Sequence, residues 1–159
     1  MKMLSFSLCL LQVCGLAMTT SAETTSLLPL PPIPSEARHL AMETAKVFTH
    51  EGFKIRDDEW AFMLDKTTPQ FLQLTLFAGN HYWLTVASPT AGSTLRVTLY
   101  DAQGHPVKGE AWHRDDAQPG SLAAVGIAPQ LSGSYYVGVE RLEQSPDLPL
   151  DCSLVMAYK

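Results

Sequence analysis

Nucleophiles, metal ligands and stacking rings are the side chains in this sequence that could do chemistry. Ser132 and Ser134 flank Gly133, and His81, His105 and His113 lie along the same half of the chain. A hydrolytic serine needs an oriented base within hydrogen-bonding reach and a sharp turn that exposes its hydroxyl. No Gly-x-Ser-x-Gly elbow occurs, and Ser132-Gly133-Ser134 reads better as a tight turn. A hydrolase with an unrecognised site is therefore the least supported function, and no catalytic residue is assigned.

Metal chemistry is equally sparse. His-Glu-x-x-His and paired-cysteine motifs are absent. The densest cluster, His113-Arg114-Asp115-Asp116, carries an arginine that would repel a cation, so it reads as a solvated loop. Asp57-Asp58-Glu59 is an acidic triplet whose oxygens suit calcium, but no regularly spaced oxygen ligands follow it. Its plainer reading is an exposed turn whose charges blunt a sheet edge. No other cofactor is expected.

The aromatic residues are more informative. Trp83 alternates in phase with His81 and Thr85, opposite Tyr82, Leu84 and Val86. If the second set is core, Trp83 and His81 point outward, and the same count turns Tyr100 and Tyr136 outward. Outward rings on a sheet could stack on sugars or hold a protein partner. The competing reading, which is favoured, is that a helix covers that face, because the helix has an apolar stripe of its own to bury.

The elements that must position these residues follow from periodicity. Residues 1–22 form an export signal: Lys2, then an apolar stretch, then Thr20-Ser21-Ala22 as small residues before cleavage. The stretch is shorter than the ~20 residues a membrane span needs, so no transmembrane segment is expected in the mature chain. Lipid attachment at Cys14 is disfavoured because Val13 stands where a small residue belongs. The expected location is secreted or periplasmic. Cleavage leaves Cys152 as the one remaining thiol, either a small apolar core residue or an intermolecular bridge.

Residues 23–34 form a proline-rich linker, through Leu27-Leu28-Pro29-Leu30-Pro31-Pro32-Ile33-Pro34. A helix over residues 35–52 should begin at Ser35 and stop at Gly52, with Ala37, Leu40, Ala41, Ala45 and Phe48 as its stripe. From Phe53 the period changes to two. Candidate strands recur roughly every 10 to 15 residues with turn chemistry between them, which favours antiparallel pairing. One apolar face per strand then demands a second sheet. The expected fold over residues 53–159 is all-β, a two-layer antiparallel jelly-roll-like β-sandwich of about eight strands with one N-terminal helix.

Three stretches within this pattern resemble a known family. Leu74-Thr75-Leu76-Phe77-Ala78-Gly79-Asn80-His81-Tyr82 is similar to its strand–Gly–aromatic hairpin. Leu95-Arg96-Val97-Thr98-Leu99-Tyr100-Asp101-Ala102-Gln103-Gly104 resembles its L-x-L-Y-D-x-x-G strand and turn. Ala128-Pro129 with Ser132-Gly133-Ser134-Tyr135-Tyr136-Val137-Gly138-Val139 resembles its P-x-x-x-G-x-Y-x-V element. The family is the bacterial pre-peptidase C-terminal domain, a β-sandwich appended to secreted proteases and collagenases. The likeness covers residues 60–159. It implies a binding or accessory role and no catalysis, and it adds weight to calcium near Asp57-Asp58-Glu59.

Composition limits the partners. The 159 residues are 46% hydrophobic and 17% charged, with a formal charge of −5. An acidic domain without a Lys/Arg cluster repels phosphate backbones, so nucleic acid is not expected as a partner. The function that follows is an exported, non-catalytic module binding a protein or a polysaccharide, with Trp83, His81, Tyr100 and Tyr136 as candidate contacts. The alternative is a structural, envelope-associated protein that acts by packing against a partner.

Overall fold

The structure, a computed structural model, describes residues 35–159 except 57, 59, 114–119 and 143–147. The export signal, the proline-rich linker, Asp57, Glu59 and most of the His113–Asp116 cluster lie outside the described residues.

The chain enters through helix α1 (Glu36–Thr49). Ser35 is extended, and its hydroxyl accepts the Arg38 backbone N–H at 3.2 Å, satisfying one of the free amides of the first turn. Glu36 in the first turn and Lys46 in the last match the helix dipole. Ala37, Ala41, Thr44, Ala45 and Phe48 form the buried stripe. Gly52 follows at φ +88°, a conformation that only glycine adopts without strain, and reverses the chain into the sheet.

Among the described residues nine strands follow: β1 (Lys54–Ile55), β2 (Trp60–Leu64), β3 (Gln70–Leu76), β4 (Tyr82–Ser88), β5 (Leu95–Tyr100), β6 (Glu110–His113), β7 (Ser121–Ile127), β8 (Gly133–Arg141) and β9 (Leu150–Tyr158). They form two antiparallel sheets. The larger has the order β1-β9-β4-β7-β6, with β2 also paired to β9, and the smaller has the order β3-β8-β5. The sheets face one another across one core. Leu84, Val86, Leu154 and Met156 meet Leu74, Leu76, Leu99, Val137 and Val139 there. This is the all-β sandwich with one helix that the alternation demands. Among the described residues, no helix is long and apolar enough to cross a membrane.

Residues 107–112, one of the weaker candidate strands in the sequence, are divided. Pro106 bridges Tyr100, and the Val107 N–H donates to the Leu99 carbonyl at 2.8 Å, so this stretch lines the edge of β5 before the chain crosses to β6. Turn chemistry at Asp101 pulls it there. The Asp101 carboxylate accepts the backbone N–H groups of His105 and Gln103 at 2.8 and 2.9 Å, and the former above all holds its pKa below the usual carboxylate range.

The two outer faces differ. On the larger sheet, α1 lies across β4 and β9, and no residue of β4 is exposed. Among the described residues, no helix lies on the outer face of the smaller sheet.

Candidate functional site

That uncovered face is the candidate site. Register fixes which side chains share it. Phe71 on β3 is opposite Gly138 on β8, which is opposite Thr98 on β5; one step along, Gln73, Tyr136 and Tyr100 form the next row. The intervening residues, Leu72, Leu74, Val137, Val139, Leu95, Val97 and Leu99, turn into the core. Because strand side chains alternate, burying one set forces the other outward.

Phe71 is 55% exposed, and Tyr100 and Tyr136 are half-buried. The Phe71 and Tyr100 ring centroids lie 5.9 Å apart at 59°, leaning toward one another across β8. Gly138 makes this possible: a Cβ there would meet Tyr100 Cε2 at 2.9 Å and Phe71 Cε1 at 3.0 Å. A strand glycine of this kind lets neighbouring side chains close over the backbone. Polar groups frame the rings. Gln73 Nε2 donates to Ser134 Oγ at 3.2 Å, and Arg96 Nε pairs with Glu140 Oε1 at 2.6 Å. The guanidinium holds the Glu140 carboxyl below its ordinary range. A shallow surface of apolar rings beside amide, hydroxyl and charged groups can stack on a ligand and hydrogen-bond to its rim.

The four aromatic and histidine candidates from the sequence do not form one surface. Tyr100 and Tyr136 are on this face, whereas Trp83 and His81 belong to the larger sheet on the other side of the core. Trp83 does turn away from the core, but α1 covers it: Phe48 stacks on its ring at 4.3 Å and 8°, leaving Trp83 only 9% exposed. Phe53 and Trp112 meet Phe48 edge-on at 6.3 and 6.2 Å. The helix stripe and the outward Trp83 bury one another, so Trp83 has one ring face already occupied. Its edge lines an open cleft of about 540 Å³ with His81, Phe53, Lys108, Glu110 and Gly126. His81 is also tied to the chain end by paired backbone hydrogen bonds with Lys159, at 2.9 and 3.0 Å.

The remaining candidates are separate. Asp58 pairs with Arg56 at 2.7 Å, which offsets the charge calcium would need, and its neighbours Asp57 and Glu59 lie outside the described residues. Among the described residues, no three His, Cys, Asp or Glu side chains converge on a metal position. Ser132 Oγ accepts the Ala78 backbone N–H at 2.9 Å, fastening one turn to another. Cys152 is fully buried in the inter-sheet core, and burial pushes its thiol up to about 12. That environment is the small apolar role, and it denies the sulfur the solvent access an intermolecular bridge requires.

Phe71 and Gly138 escaped the sequence reading as site residues. The signal was present: Phe71 falls out of phase with Leu72, Leu74 and Leu76, as Tyr100 and Tyr136 do in their own strands. What the sequence lacked was the pairing register that sets β3 and β5 on either side of β8. Neither a protein-family model nor a curated protein sequence matches the chain.

Proposed function

We propose that this protein is an exported, non-catalytic β-sandwich module that binds a polysaccharide through the outer face of its smaller sheet. One observation carries this reading: three aromatic rings, one of them more than half exposed, are grouped on a sheet face that no described helix covers. Exposed rings of this size rarely cluster on a monomer's surface without a partner. Their flat, open setting suits the face of a sugar ring better than a small molecule that needs enclosure. Export rests on the N-terminal charge, apolar stretch and small-residue site, and the accessory role rests on the resemblance to pre-peptidase C-terminal domains.

The test is a pull-down of the protein against a panel of insoluble polysaccharides. Phe71→Ala and Tyr100→Ala are each expected to weaken retention about two- to twelvefold, the loss of one ring contact worth about 0.5–1.5 kcal/mol. Retention unchanged in both variants, or no retention of the unmodified protein on any polysaccharide, overturns the reading.

A further inference from the structure

The smaller sheet ends on one side at β3, which has no strand beyond it among the described residues. Every other long edge carries a device that discourages pairing. The outer edge of β5 is closed at its C-terminal end, where the Val107 N–H donates to the Leu99 carbonyl, and the strand carries the charged Arg96. β6 carries Glu110, β1 is two residues long and begins with Lys54, and β2 is shorter than β3 and bracketed by Asp58 and Asp65. β3 has none of these within its length, Pro69 standing just before it. It reads Gln70-Phe71-Leu72-Gln73-Leu74-Thr75-Leu76, seven residues with no charge, proline or glycine. Unprotected edge strands offer a row of free amides and carbonyls to any strand that aligns with them.

We propose that β3 pairs with β3 of a second copy of this chain, antiparallel across a two-fold axis at Gln73, and joins two three-stranded sheets into one of six. The strand complements itself about that residue. Leu72 meets Leu74 of the other copy on the core side, and Phe71 meets Thr75 on the outer side. Gln70 and Leu76 close the ends, and Gln73 faces its own counterpart. A two-fold interface requires this self-complementarity, and an uncharged strand places no like charges opposite one another. The pairing sets a 55%-exposed Phe71 beside the seam on each side, which removes part of that ring from water. A single strand pair is small for an interface, so the dimer is weak and depends on concentration. This assembly stands whether or not the aromatic face binds a polysaccharide.

Sedimentation velocity of the full protein from micromolar to submillimolar concentration tests it, alongside Gln73→Lys and Gln73→Glu. Gln73 is exposed, and circular dichroism establishes that each variant keeps the fold. The unmodified protein is expected to move from monomer to dimer as concentration rises. Each variant alone is expected to stay monomeric, because like charges meet at the axis. An equimolar mixture of the two is expected to dimerise again. A monomeric unmodified protein throughout overturns the proposal. Dimers that persist in both variants alone place the interface elsewhere and overturn it too. A mixture that fails to dimerise rules out the two-fold axis at Gln73.

Discussion

The two outer faces of this sandwich are built by the same rule and end differently. On each, burial of alternate residues drives an aromatic outward: Trp83 on β4, and Phe71, Tyr100 and Tyr136 on β3, β5 and β8. Over Trp83 lies α1, whose Ala41 and Ala45 allow close approach to Ala87 and Val155, and whose Phe48 stacks on the ring. Over Phe71 lies no described helix. An aromatic on an outer strand face is thus sealed or left open according to whether another element has apolar surface to spend there. Strand phase alone does not decide between them.

Substitutions on the two faces can break this contrast. Phe48→Ala is expected to have the largest effect, a loss of about 3–5 kcal/mol in urea unfolding, because it leaves a cavity between Trp83 and the helix. A loss below about 1 kcal/mol would mean that α1 does not seal that face. Next come the glycines. Gly126→Ala sets a Cβ 2.9 Å from the Trp83 ring, which is pinned under Phe48, and is expected to destabilise by about 1–3 kcal/mol. Gly138→Ala makes an equally tight approach to Tyr100, but the Tyr100 and Phe71 rings can swing into solvent. It is expected to cost less than about 1 kcal/mol while still weakening polysaccharide retention. Equal losses from the two glycines would erase the distinction between a sealed and an open face.

Two buried hydroxyls sharpen the contrast from the other side. Thr85 Oγ1 and Ser153 Oγ lie buried on the outer face of the larger sheet without a hydrogen-bond partner. An unsatisfied buried hydroxyl is destabilising, so Thr85→Val is expected to raise stability by about 1 kcal/mol. Thr98→Val on the open face is expected to leave it unchanged, as its hydroxyl can reach water. The smallest effect is electrostatic. Arg96 lowers the pKa of Glu140, so the folded state binds that proton less readily than the unfolded state. The pair contributes stability above the unfolded carboxyl pKa, and that stability is lost as pH falls through the lower folded value. Glu140→Gln should therefore weaken the protein slightly at neutral pH and leave its stability unchanged in strong acid, as read from thermal unfolding across pH.

Much of this was legible in the sequence because it depends on local periods. The switch from helical spacing to alternation at Phe53, the cap at Ser35 and the turn at Asp101 each involve residues a few positions apart, where steric and hydrogen-bonding rules act directly. The candidate site was half legible. Tyr100 and Tyr136 emerged from phase, yet phase also selected Trp83, and it could not say that these residues stand on opposite sides of the core. The path of Val107 along the end of β5 was hidden as well, because nothing in its local sequence separates it from the start of β6.

By itself, the sequence settled which side chains turn inward and which turn outward, since a two-residue period and an apolar count are enough to orient a strand. Tertiary structure alone settled what each outward ring meets. Pairing of β3 and β5 to β8 drew Phe71 and Tyr100 over Gly138, residues far apart in the chain. Docking of α1 on β4 and β9 removed Trp83 from water. Such contacts depend on how whole elements share a limited apolar surface, which no local window of residues encodes.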